Sequence, residues 1–113
     1  MNKTWTIEFV NQTAEKEILS LSADLQAKFL HVSEMLLSFG PLNVGLPHIR
    51  PLENKLWEMR LKGKDNIARS IYILSSQRRL IILHTFIKKT QTTPVKALQV
   101  ARARLKEIPN DKI

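Results

Sequence analysis

At 113 residues, 43% of them hydrophobic and 25% charged, the chain has the material for one ordinary globular domain, 1–113. The absence of cysteine excludes disulfides and thiolate metal sites, and no run of about 18 uncharged apolar residues exists to cross a bilayer as a helix. The net charge of +8 is lopsided: residues 1–49 carry three Lys against five acids, and residues 50–113 carry fifteen Lys and Arg against five acids. A basic half of this kind points to a polyanionic partner, whether RNA, DNA or an acidic protein.

The opening stretch MNKTWTIEFVNQTAEKE lacks the apolar segment and small-residue cleavage site of a secretory signal, so a cytoplasmic protein without membrane contact is expected. Trp5, Ile7 and Phe9 alternate with Thr4, Thr6 and Glu8, the period of a short strand with one buried face. Asn11 or Thr13 caps the helix that follows, with Ala14, Ile18 and Leu21 as its apolar stripe and Glu15 and Glu17 near its positive end. After a break at residues 19–22, Ser22 heads a second helix to about Phe39. Leu25, Phe29, Val32, Leu36 and Phe39 mark one face of it, and Gly40-Pro41 stops it. Residues 40–54 hold two of the three glycines and three of the five prolines, which predicts a loop with no regular element.

Three apolar runs follow: Leu56 to Leu61, Ile67 to Leu74 and Leu80 to Ile87. Their length and their Ile, Leu and aromatic content predict strands, and the breaks KGKDN and SSQRR predict hairpin turns of an antiparallel meander. Gly63, Asp65 and Asn66 are the expected left-handed residues of the first turn, and Ser75, Ser76 and Gln77 serve the second. Thr93-Pro94 opens a last helix, with Thr93 as cap, a stripe of Val95, Leu98, Ala101, Leu105 and Ile108, and Pro109 as its end. The order is β-α-α-β-β-β-α. This is an α+β chain with a small, mainly antiparallel sheet, a helical hairpin and a C-terminal helix. The first strand joins the meander as an edge or as a parallel neighbour, with the helical hairpin as crossover.

The strands place cations in unusual positions. Arg60 and Arg69 lie inside strands, His84 lies within the third run, and Lys88-Lys89 end it. An unpaired cation is costly to bury, so such residues face solvent, a carboxylate or a ligand. Alternation puts Trp57, Met59 and Leu61 on the core face, and Leu56, Glu58 and Arg60 opposite, with Glu58 beside Arg60. It groups Leu80, Ile82, His84 and Phe86 on one face of the third strand, whose two largely apolar faces mark it as central and covered on both sides. Parity does not decide whether Arg69 and Tyr72 reach the same site, because a bulge would change the answer. His31 lies beside a helical stripe and reads as structural, and His48 is a loop residue. The three histidines have no metal-ligand spacing, and three glycines form no phosphate-binding fingerprint, so neither metal nor cofactor is expected.

The series L-W-E-M-R at 56–60, A-R-S-I-Y at 68–72, L-I-I-L-H-T-F-I-K-K-T-Q-T-T-P at 80–94 and V-A-R-A-R at 100–104 resembles the HigB-like branch of the RelE/ParE toxin superfamily. These are the toxin halves of bacterial and phage type II toxin–antitoxin modules. The resemblance covers about the whole chain, and residues 83–94 are its most specific part. It implies a RelE-like fold and a metal-independent endonuclease that cuts mRNA in the ribosomal A site, leaving a cyclic phosphate and a 5′-hydroxyl. It also implies a cognate helix-turn-helix antitoxin.

Cleavage without metal needs a base for the 2′-hydroxyl proton, cations for the phosphate and an acid for the leaving oxygen. The candidates for these tasks are Arg60, Arg69, His84 and Lys88: the two arginines and the Lys88-Lys89 pair match the family pattern, and His84 is offered by its imidazole chemistry. Arg60 and Arg69 act as bidentate phosphate clamps, Lys88 as a point charge and His84 as acid or base. Lys55, Lys62, Lys64, Tyr72, Arg78, Arg79 and Lys89 are the expected RNA contacts. Several relatives place a functional tyrosine near the C-terminal end, whereas the only tyrosine here is Tyr72. The alternatives are a ParE-like inhibitor of DNA gyrase and an inactive, basic nucleic-acid-binding protein.

Overall fold

A computed structural model describes residues 4–89 and 92–113. Of the 83–94 motif, Thr90 and Gln91 therefore lie outside the described residues, as do the first three residues of the opening stretch. The elements are β1 (Thr6–Phe9), α1 (Gln12–Leu19), α2 (Ala23–Phe39), β2 (Ile49–Pro51), β3 (Trp57–Lys62), β4 (Ile67–Ser75), β5 (Arg79–Ile87) and α3 (Val95–Leu105). The α+β architecture is as expected. The sheet runs β1-β5-β4-β3-β2, antiparallel except where β1 lies parallel to β5.

β2 corrects the expectation of a featureless loop. Its three residues pair with β3, Ile49 opposite Met59 and Arg50 opposite Glu58. Its short length and its Pro51 hide it from pattern reading, because proline interrupts the strand period and is tolerated only at an edge.

The two sheet faces carry separate cores. The α1–α2 hairpin covers one: Leu25, Phe29, Val32 and Leu36 of α2 pack on Met59, Leu61, Tyr72, Leu80 and Ile82. Full burial of each such side chain contributes about 1.5–3 kcal/mol, which is what holds α2 to the sheet. Phe39 departs from the expected stripe and is exposed, the last residue of α2 before Gly40 (φ 87°) ends the helix. α3 covers the other face, with Ala97 and Ala101 against Ile71, Ile73, Ile81 and Leu83. Val95, expected in its stripe, is exposed, and Ala97 takes the inward position because small residues let the helix approach closely. α3 ends at Leu105, with Ile108 buried beyond it.

Local devices fix the ends of the elements, some as expected and others not. Asn11 caps α1, its side chain accepting from the Ala14 amide. Pro94, not Thr93, is the cap residue of α3, and the Thr93 hydroxyl is engaged elsewhere. The left-handed residues of the β4–β5 turn are Gln77 and Arg78. Gly63 does not have a positive φ. It is needed for space, because a Cβ there would lie 2.6 Å from Asp24 Oδ2 and 2.7 Å from Leu25 Cδ2. That contact locks the β3–β4 turn onto the start of α2, where Asp24 accepts the Lys64 amide at 2.6 Å.

A bulge in β5 splits a residue set that parity had grouped. Ile71 pairs with His84 but Tyr72 pairs with Ile82, leaving Leu83 as the extra residue. Leu80 and Ile82 therefore face the α2 side, while His84 and Phe86 face the α3 side with Ile71 and Arg69. β4 itself alternates without interruption. Arg69 shares its face with Arg60, its register partner, and Tyr72 points to the opposite core.

Candidate functional site: a cationic cleft at one end of the sheet

The end of the sheet where β3 finishes, β4 begins and β5 finishes gathers positive charge. Arg50 from β2, Glu58 and Arg60 from β3, Arg69 from β4 and Lys88 after β5 line a cleft of about 330 Å³, closed on one side by residues 46–49. Register explains the convergence: Arg50 opposes Glu58, and Arg60 opposes Arg69, so all four side chains leave the same sheet face. Lys88 is carried in by the pairing of its amide with the Ile67 carbonyl, 2.6 Å away.

At the base of the cleft Glu58 is 2% exposed. Its Oε1 accepts from Arg50 Nε at 3.0 Å and lies 3.2 Å from an Arg69 guanidinium nitrogen. Its Oε2 accepts the Thr93 hydroxyl at 2.7 Å. Glu58, expected beside Arg60 on this face, is instead a carboxylate shared between Arg50 and Arg69. One negative charge faces four cations, so the cleft keeps a net positive field. Arg60 Nε is buried and has no hydrogen-bond partner among the described residues. A buried donor without a partner costs free energy, and an anionic ligand would relieve that cost. Lys88 is shifted toward easier deprotonation, first by burial and then by repulsion from Arg69 and Arg60.

The cleft continues into two basic hollows. One is lined by Lys28, Pro47, His48, Arg60 and Lys62. The other, of about 530 Å³, runs past Lys62, Lys64, Lys88 and Lys89. Of the residues singled out from sequence, Arg60, Arg69 and Lys88 therefore come together, flanked by Lys62, Lys64 and Lys89.

The others lie apart. His84 Nδ1 sits 3.0 Å from Glu17 Oε1, and its ring stacks on Phe86 with centroids 5.4 Å apart. The same Glu17 oxygen accepts the Thr85 amide at 3.0 Å and Arg104 at 2.9 Å, which ties α1 and α3 to the edge of β5 beyond the end of β1. Burial pushes the Glu17 carboxyl up, but hydrogen bonds from Arg104, the Thr85 amide and His84 outweigh it and hold Glu17 below the usual value. Tyr72 is fully buried in the α2-side core, and burial raises its phenol far above the ordinary value, so it cannot touch RNA as expected. Arg78 and Arg79 sit at the opposite end of the sheet in the β4–β5 hairpin, and Arg79 is paired with Glu8 at 2.5 Å. Lys55 lies in the β2–β3 turn, away from the cleft.

Sequence reasoning missed Arg50, His48 and Lys28 as members of the site. The two-residue step from His48 to Arg50 was a faint strand signal inside a proline-rich stretch. Lys28 is a polar helix position like any other until α2 is docked. Among the described residues no cluster of His, Asp and Glu is arranged to hold a metal ion, and no helix is long and apolar enough to cross a membrane.

The fold and cleft define a small basic α+β protein whose sheet presents a positively charged groove beside a buried, arginine-bound carboxylate. The chain belongs to the family of phage-derived proteins described as Gp49-like, whose sequence model matches residues 16–106. This is a family of RelE-like, toxin-like proteins, compatible with the toxin of a toxin–antitoxin module. The matched span takes in every residue of the cleft. Comparison with curated proteins finds no match.

Proposed function

We propose that the protein is the HigB-like toxin of a type II toxin–antitoxin module and acts as a metal-independent, ribosome-dependent mRNA endonuclease. One observation carries the reading. Guanidinium and ammonium groups from three neighbouring strands and the loop after β5 converge on one cleft, with Glu58 the single carboxylate lining it among the described residues. A phosphodiester in that cleft would meet Arg60 and its unpartnered Nε, with Arg69 and Lys88 around it. Arginine forks suit the equatorial oxygens of a phosphorane-like transition state, and cations in a partly desolvated site act most strongly there. The flanking Lys62, Lys64 and Lys89 extend the grip to neighbouring phosphates. A cleft this open positions RNA poorly by itself, and the ribosome supplies the missing orientation. A helix-turn-helix antitoxin is the expected neutralising partner.

Induced expression followed by primer extension on cellular mRNA tests the reading. Discrete cuts are expected with the wild type and are lost in Arg60→Ala and Arg69→Ala variants that retain the wild-type circular dichroism spectrum. Intact mRNA together with a DNA-damage response would replace this reading with inhibition of gyrase.

A further inference from the structure

The cleft contains a histidine that the resemblance did not supply. Arg60 donates its amide to the His48 carbonyl at 2.7 Å, continuing the β2–β3 register by one more pair. His48 therefore stands opposite Arg60 and shares the parity of Arg50, on the face that bears the cations. It lines both the main cleft and the adjoining hollow with Lys28, Arg60 and Lys62. It is partly exposed, and its ring has no hydrogen-bond or ion-pair partner among the described residues. His84, by contrast, is held by Glu17 outside the cleft.

The other groups of the cleft are unsuited to taking a proton. Glu58 is 2% exposed, and its oxygens are engaged by Arg50, Arg69 and Thr93. A guanidinium has no acceptor and does not deprotonate in proteins. Lys88 presents an ammonium donor, and burial with the neighbouring guanidinium groups makes it the readier to give up its proton, which suits it to the acid's task. Imidazole is the side chain that accepts and releases protons in this range.

We propose that His48 is the general base of the cleft, taking the 2′-hydroxyl proton of the ribonucleotide whose 3′-phosphate is held at Arg60. The role rests on the nuclease reading above. In the step, the 2′-oxygen bonds to phosphorus as its proton passes to the His48 ring. The bond from phosphorus to the 5′-oxygen breaks, and that oxygen takes a proton from the Lys88 ammonium. The products are a 2′,3′-cyclic phosphate and a 5′-hydroxyl, and solvent restores both side chains. The charge environment of His48 consists of Lys28 from α2, Arg60 and Lys62 from β3, and the Arg50, Arg69, Lys88 and Glu58 groups of the main cleft.

The test is single-turnover cleavage of a defined mRNA on programmed ribosomes. His48→Gln is expected to cut at least about 100-fold more slowly with little change in the concentration for half-saturation, the usual size of a lost general base. The rise in rate with pH that marks loss of the imidazole proton should vanish in this variant. His48→Ala should regain rate in added imidazole. An RNA with sulfur in place of the 5′-bridging oxygen, whose leaving group needs no acid, should rescue Lys88→Met but not His48→Gln. Cleavage by His48→Gln within a few-fold of wild type would overturn the proposal, as would a loss confined to half-saturation or rescue by the sulfur substrate. A wild type that leaves the mRNA intact removes the nuclease reading and the His48 role together. An active wild type with an equally active His48→Gln removes only the role.

Discussion

Glu58→Gln isolates the charge balance beneath the cleft. Glutamine keeps the shape of the side chain but removes the negative charge shared by Arg50 and Arg69. Its amide nitrogen also presents hydrogens either to the guanidinium groups or to the Thr93 hydroxyl, each of which donates to the carboxylate in the native protein. Breaking a buried ion pair by removing one partner costs about 3–5 kcal/mol. Arg50, with 42% of its side chain exposed, regains hydration and adds little, whereas Arg69, with 5% exposed, does not. The expected loss is therefore about 3 kcal/mol, at the low end of that range. For a chain of this size each kcal/mol lowers the midpoint by about 4 °C, so thermal unfolding followed by circular dichroism should shift by about 12 °C. Added sulfate should recover more of the lost stability in the variant than it adds to wild type, because the uncompensated guanidinium groups bind it. A shift below about 4 °C, corresponding to less than about 1 kcal/mol, would refute the description of Arg69 and Glu58 as a desolvated pair.

Tyr72→Phe removes a buried hydroxyl that has no hydrogen-bond partner among the described residues, so stability should rise by about 1 kcal/mol while mRNA cleavage stays at the wild-type level. Loss of cleavage in this variant would return the hydroxyl to the site. Glu17→Gln addresses the tie between α1, β5 and α3. Because the folded Glu17 carboxyl is held low, its contribution is complete above the ordinary carboxylate value and disappears as pH falls through the folded one. The variant should therefore be weaker than wild type by about 1–2 kcal/mol at neutral pH, and the gap should close in acid. Urea unfolding at a series of pH values measures this, and a gap that persists at low pH would contradict it.

Patterns of apolar residues carried most of the fold because they report local geometry. Leu25, Phe29, Val32 and Leu36 recur at the period of a helix, and all four are buried. The three apolar runs became β3, β4 and β5 because their lengths and turn residues leave few other arrangements. The same reasoning failed where one residue upset the count. Leu83 bulges out of the β5 ladder, so His84 and Phe86 changed faces relative to Leu80 and Ile82. It also failed for β2, where a strand of three residues has no period to read.

The site was legible in part for a related reason. Arg60 and Arg69 stood out because a cation inside a strand needs an explanation, and Lys88-Lys89 because they end one. Which charges remained available was not legible, since that depends on neighbours far along the chain. Glu8 reaches Arg79, 71 positions away, and Glu17 reaches Arg104, 87 positions away. Strand alternation and helical period arise from bond geometry over a few residues, so the linear order of amino acids suffices to show them. The meeting of His48, Arg50, Arg60, Arg69 and Lys88 at one end of the sheet arises from register and from the helices that close over it, and those are settled by packing across the whole chain.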